Sequence, residues 1–190
     1  MMGLRRDTRT DSRPPHRWLQ CKLVLVLAPI AWLLVACGQG WNWRVLPVGD
    51  SGLESVLPCK PDAAARTMQL PTQVAQLEMR SCDAHGVTFA VAWMPLSADT
   101  DLSAHLALWR TASLASARAS LVSEPRAWAV RGVTLAQRVE ARGRRADGST
   151  MPVSLGHAIA GRYLVQMATY GELDRESSSA FWDGLSMRRR

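Results

Sequence analysis

The chain has 190 residues, is 47% hydrophobic and 21% charged, and carries a formal net charge of +7. That composition builds a core and excludes wholesale disorder, while the length excludes two large domains. The basic balance points to nucleic acid only until the charges are located. In residues 1–22, the six cations Arg5, Arg6, Arg9, Arg13, Arg17 and Lys22 stand against Asp7 and Asp11, a local balance of +4. A fourteen-residue apolar run follows, Leu23 to Ala36, interrupted only by Pro29. Bilayer-spanning helices need about 20 apolar residues, so the run reads as the h-region of a signal peptide over 1–36.

The run closes on Leu34-Val35-Ala36-Cys37, with Gly38 next. This tetrapeptide resembles the bacterial lipobox. The resemblance implies diacylation of the Cys37 thiol, cleavage just before it and acylation of the new amino terminus. A buried cysteine closing an uncleaved anchor helix is the competing reading. Several acyl chains hold far more firmly than one, because each buried CH₂ contributes roughly 0.8 kcal/mol. Retention at the inner membrane usually uses Asp after the cysteine. Gly38 therefore implies outer-membrane delivery, facing the periplasm, where the cell has one. The n-region is long, which a start codon assigned too far upstream explains, and Arg5-Arg6 lies too far from the h-region for a twin-arginine signal. With Cys21 in the signal and Cys37 lipidated, Cys59 and Cys82 remain. An even pair in an oxidising, exported compartment is most simply a disulfide. The alternative is a metal pair with His85, but one Cys and one His do not close a zinc site. No metal or cofactor is expected.

Residues 37–52 read as a lipidated tether entering a first strand, 53–187 as one α+β domain, and 188–190 as a basic tail. Trp41 is expected at the headgroup level, where indole rings are favoured, and Trp43 on the core. Gly49-Asp50-Ser51-Gly52 spells the nucleophile motif of trypsin-like proteases. Those enzymes need two β-barrels and a late serine preceded by His and Asp; here every remaining His follows Ser51. Four turn-favouring residues read better as a hairpin turn. A strand at Leu53–Leu57 ends in the Leu57-Pro58-Cys59-Lys60-Pro61 corner. Arg66–Leu70 and Val74–Cys82 follow, with Pro71 at the turn between them. In the second, Leu77 and Met79 face one way while Gln76, Glu78 and Arg80 face the other. His85 is expected solvated in the Asp83-Ala84-His85-Gly86 turn. Val87, Phe89, Val91 and Trp93 make one face of a central strand, with Thr88, Ala90, Ala92 and Met94 as its reverse.

From Asp99 the period becomes helical through Leu102, Leu106, Trp109, Ala117 and Leu121. Thr100 or Asp101 serves as N-cap, and the end is expected by Glu124, before Pro125. Abundant Ala and Ser predict a helix lying close on a sheet, with His105 exposed near its start. A short strand at Trp128–Val130 precedes Val133–Ala141 and the Asp147-Gly148 hairpin turn. The return strand carries Met151, Val153, Leu155, His157 and Ile159, and Gly161 turns into Tyr163–Tyr170. A last helix starts near Asp174, buries Ala180, Phe181 and Trp182, and stops at Gly184. Leu185–Met187 adds an edge strand.

The expected fold class is α+β: an antiparallel sheet of about seven or eight strands, in β4-α-β4-α order, covered by two helices. Four segments then carry a resemblance: the Leu57–Pro61 corner, Phe89-Ala90-Val91-Ala92-Trp93, Gly161-Arg162-Tyr163-Leu164-Val165-Gln166, and Phe181-Trp182-Asp183-Gly184-Leu185. In that order they resemble a group of small exported bacterial proteins of unknown function, itself similar to the PsbP-like sandwich. The shared motifs are structural, and the resemblance implies no catalytic residue. Cys59 stands where the group has Gly, which fits a disulfide added in this branch.

No Gly-x-Ser-x-Gly, His-Glu-x-x-His, Walker loop or dinucleotide fingerprint occurs. His157, in register with Val153, Leu155 and Ile159, points at the core or at a pocket in it. Proton transfer there needs a partner within reach; a satisfied core histidine is the plainer reading. Arg142-Gly143-Arg144-Arg145 is the densest internal charge cluster. At a hairpin tip, Arg142, Arg144 and Arg145 would touch anionic headgroups or lipopolysaccharide phosphates, or simply be solvated. Nucleic acid needs a basic face with aromatic platforms, in a compartment that holds it, and is not expected. Removing the +4 of the signal leaves +3, all of it at Arg188–Arg190, so residues 37–187 are balanced. The leading expectation is a lipid-anchored, non-enzymatic envelope module that binds a protein, lipid or cell-wall partner. The alternative is an envelope enzyme or small-molecule carrier with a pocket near His157.

Overall fold

The computed structural model describes residues 40–70, 73–98, 101–133 and 135–188. The chain divides into two units, Met1–Gly40 and Trp41–Arg190, and the fold is that of the second. Cys37 and the apolar run before it lie outside the described residues, as do Pro71, Thr100, Arg189 and Arg190.

The first hairpin is β1 (Arg44–Pro47) with β2 (Leu53–Leu57), antiparallel with Val45 opposite Val56. At its turn Gly49 and Gly52 take positive φ, 53° and 78°, which glycine adopts without a Cβ clash. The Ser51 hydroxyl is engaged in the same turn. It donates to the Val48 carbonyl (2.6 Å) and accepts from the Leu53 N–H (3.1 Å). The Gly-Asp-Ser-Gly motif is a turn.

A meander follows: β3 (Asp62–Gln69), β4 (Val74–Ala84) and β5 (Val87–Pro95). Helix α1 (Leu102–Ser116) is N-capped by Asp101, whose carboxylate accepts from the Ala104 N–H. It stops well short of Glu124. Ala117 caps it and Arg118 turns away at φ 46°, so Leu121 falls in the short strand β6 (Ser120–Leu121) instead of the helix. The strand expected at Trp128–Val130 lies two residues earlier, as β7 (Arg126–Ala127). The Trp128 N–H still donates to the Ala136 carbonyl (3.0 Å), and its ring stands edge-on to Trp182, centroids 5.5 Å apart. The second meander is β8 (Leu135–Arg144), β9 (Thr150–Ala160) and β10 (Tyr163–Tyr170). Asp174 then caps α2 (Arg175–Asp183) through the Ser177 N–H, and β11 (Ser186–Met187) closes the chain. The order is five strands, helix, five strands, helix, strand, not β4-α-β4-α. The strands added to that order are β1, at the end of the expected tether, and the two-residue β6, too short to carry a period.

The main sheet is antiparallel and eight-stranded, in the order β3-β4-β5-β10-β9-β8-β6, with β7 also paired to β8. A three-stranded sheet, β1-β2-β11, lies apart from it. The meanders join through β5 and β10, Ala92 opposite Gln166. One main-sheet face meets the small sheet and α2: Phe89, Val91 and Trp93 pack with Leu53, Leu57, Phe181 and Trp182. In α2 it is Ser177, one turn before Phe181, that turns inward, while Ala180 is exposed, contrary to expectation. Gly156 of β9 makes room for two indoles, since a Cβ there would lie 2.7 Å from both Trp128 and Trp182.

The other face meets α1 and holds two separate apolar clusters. One contains Leu77, Met94, Leu106, Ile159 and Leu164; the other contains Ala90, Ala117, Val139, Leu155 and Ala168. Between them runs a polar cross-strand row, Gln166–His157–Gln137. Helix α1 answers it residue by residue. Ser113 donates to Gln166 Oε1 (3.1 Å), Arg110 donates to Gln137 Oε1 (2.9 Å), and the Trp109 ring stands edge-on to His157, centroids 6.0 Å apart.

Candidate functional site

Helix α1 lies over β9, and beside it, above β3, β4, β5 and β10, a cleft of about 610 Å³ opens. Its origin is in the residue sizes. Ala90, Ala92 and Ala168 on the floor, Ala64 on β3 and Ala112 on α1 leave space that larger side chains would fill. The small residues expected to bring helix and sheet close therefore hold a gap open over this half of the sheet. Leu77, Met79, Met94, Met68, Leu70 and Trp109 give the cleft apolar walls. Unbranched methionines adapt to irregular shapes, as promiscuous apolar sites require. The volume falls in the range of small-molecule sites, which are mostly apolar with few polar groups.

Those polar groups are specific. Gln166 holds the Ser113 hydroxyl on its Oε1. Tyr170 lines the cleft, and burial raises its phenol above the ordinary value of 10.0. His105, expected exposed, is only 7% exposed and lines the cleft. Its Nδ1 lies 2.9 Å from the Asp101 carbonyl and must donate to it, while its Nε2 is buried without a partner among the described residues. The signal for this placement was its spacing: His105 lies three residues after Leu102 and four before Trp109, on the inward stripe.

His157 is 1% exposed and lies behind Trp109, outside the cleft lining. It is a core histidine but not a satisfied one, its Nε2 buried without a hydrogen-bond partner among the described residues. Burial first, and the Arg110 charge second, push its pKa down to about 3. Arg162 is not brought to it; its Nε donates to the Leu96 carbonyl (3.2 Å) beside the β9–β10 turn. A pocket exists on the α1 face, then, but His105 lines it and His157 does not. The basic cluster also differs from expectation. Strand pairing continues to Arg144 opposite Thr150, so Arg142 and Arg144 belong to β8 and only Arg145 enters the turn. All three are exposed, and Arg144 and Arg145 also bind the hairpin's own carbonyls at Gly148 and Thr150.

Cys59 and Cys82 stand at disulfide distance, Sγ to Sγ 1.99 Å. Trp41 packs against Trp43, Phe89 and the exposed His85, with ring centroids 5.7, 5.9 and 4.2 Å away. Arg188, in the expected basic tail, is paired, its Nε 2.9 Å from Glu54 Oε1. Among the described residues no group of His, Cys, Asp and Glu is placed to hold a metal ion, and no helix is long and apolar enough to cross a membrane.

No family model and no curated protein matches the chain. Among solved structures it is similar to the solution structure of cyanobacterial PsbP (CyanoP) from Synechocystis sp. PCC 6803. The TM-score is 0.50, over 80% of this chain and 96% of that one, at 12% sequence identity. At that identity the likeness shows the fold alone, which is PsbP-like.

Proposed function

We propose that this chain is a non-enzymatic binding module of the bacterial cell envelope, lipid-anchored at Cys37, that takes an apolar small molecule in the cleft beside α1. The observation that carries the reading is the cleft itself, about 610 Å³ and walled by Met, Leu, Ala and Trp side chains. Such space in a layer otherwise closely packed costs stability unless a ligand repays it in contacts. The buried, weakly basic His157 supports a packing role over proton transfer. The lipobox supports the anchor and the outer-membrane, periplasm-facing location. The exposed Arg142, Arg144 and Arg145 support a contact with anionic headgroups.

The cleft is tested by titrating the full-length protein, in detergent, with the fluorescent apolar probe N-phenyl-1-naphthylamine. Saturable enhancement is expected, and Ala92→Phe and Ala112→Phe, which fill the floor and the roof, should abolish it while the variants remain folded. Binding that is absent, or indifferent to both substitutions, overturns the reading. Mass spectrometry of the mature amino terminus tests the anchor: acylated Cys37 is expected, and an unmodified Cys37 or retained residues 1–36 overturns it.

A further inference from the structure

We propose that the chain pairs with a second copy of itself through β3, antiparallel and centred on Ala64. Strand β3 is the terminal strand of the main sheet, paired with β4 alone, and Asp62 through Thr67 are all exposed. An open edge of this kind is a template for another strand, and folds usually blunt it with short length, charged side chains, proline or a bulge. The opposite edge is blunted by length, since β6 and β7 have two residues each. Strand β3 runs eight residues with no lysine or proline inside it.

Its charges select the partner. Asp62 and Arg66 are the ionised side chains of the strand, and neither makes an ion pair among the described residues. Four residues apart on a strand, they share one face. Antiparallel pairing about Ala64 sets Asp62 of each copy opposite Arg66 of the other, with Ala63 opposite Ala65 and Ala64 opposite itself. Two ion pairs form across the seam, with only alanines between them. Centring on Arg66 instead would set two guanidinium groups face to face. Opposite charges directly across a strand pair stabilise it and like charges oppose it. A twofold contact requires such self-complementarity, and this strand has it. An unrelated extended peptide would find the same edge but would have to bring its own charge match.

The test is disulfide trapping in the full-length protein, in detergent. Facing residues of antiparallel strands have Cα atoms about 4.5–5.5 Å apart, so Ala64→Cys should give a covalent dimer on mild oxidation. Thr67→Cys, three residues off the axis, should give only background. Adding Arg66→Asp to Ala64→Cys should reduce the dimer to that background, and adding Asp62→Arg as well should restore it. These positions are exposed, and an unchanged unfolding midpoint verifies the fold of each variant. An Ala64→Cys protein that stays monomeric, a dimer indifferent to charge reversal, or trapping stronger at Thr67→Cys overturns the proposal. So does capture of a different chain by the Ala64→Cys variant in place of a second copy.

Discussion

Opening the Cys59–Cys82 bond is expected to cost about 3.4 kcal/mol. The cysteines lie 23 residues apart. A loop of that length carries a chain entropy of about 11.4 cal/mol/K, from a constant of about 2.1 plus 1.5R ln n, and so about 3.4 kcal/mol at 25 °C. The bond joins the corner after β2 to β4, and thus the small sheet to the main one. Cys82 is buried in the layer between them and Cys59 packs against it, so reduction alone leaves the apolar contacts in place. The assay is thermal and guanidinium unfolding of oxidised and reduced protein, followed by tryptophan fluorescence. For a domain of this size each kcal/mol moves Tm by about 2–4 °C, so reduction should lower it by about 7–14 °C. Coincident curves would refute the chain-entropy reasoning. Two alkylatable thiols, beyond any at Cys21 and Cys37, in unfolded but unreduced protein would refute the bond.

His157 should make the fold acid-sensitive. Its pKa is about 3 in the folded chain against 6.5 ordinarily, so the unfolded chain takes up the proton first as pH falls. The stabilisation is complete above 6.5, declines by about 1.4 kcal/mol per pH step between the two values, and levels off below 3. Urea midpoints at pH 7.5, 5.5 and 4.5 should fall more gently in His157→Leu than in the native chain; parallel declines would sink the assignment. Gly156→Ala forces a Cβ to within 2.7 Å of the Trp128 and Trp182 rings, and overpacking of this kind costs about 1–3 kcal/mol. A lowered unfolding midpoint with altered tryptophan emission is the expected result, and unchanged values would show that the rings yield freely.

Much of the sheet was legible because its signals are local. The alternation of Val87, Phe89, Val91 and Trp93 against Ala90, Ala92 and Met94 reports two buried faces, and both are buried. The Gly49–Gly52 and Asp147-Gly148 turns announce themselves by residue type, and Asp174 caps α2 at the expected place. The errors lie where tertiary contacts decide. Nothing periodic distinguishes a helix ending at Ser116 from one reaching Glu124; Ala117 settles it by packing on the sheet, with Ala119 N–H turning back to Leu114 O. The neighbours of Trp41 are equally beyond local signals: of Trp43, His85 and Phe89, two lie more than forty residues away. The cleft was invisible for a related reason. Alanines at 64, 90, 92, 112 and 168 promise close approach when read one strand at a time, and only their meeting beside Trp109 leaves a gap.

The polar row beneath α1 has a consequence for alignment. An apolar helix on an apolar sheet is free to settle one turn higher or lower with little penalty, because greasy surfaces fit at many offsets. Here a slip of about 5.4 Å would carry Ser113 away from Gln166, Arg110 from Gln137 and Trp109 from His157. The buried Gln166 amide would lose its partner at roughly 1–3 kcal/mol, and the half-buried Gln137 would lose a charged one. The row works like the notches of a key: only one offset seats all three teeth, and at that offset Leu108, Ala112 and Ser116 line the cleft.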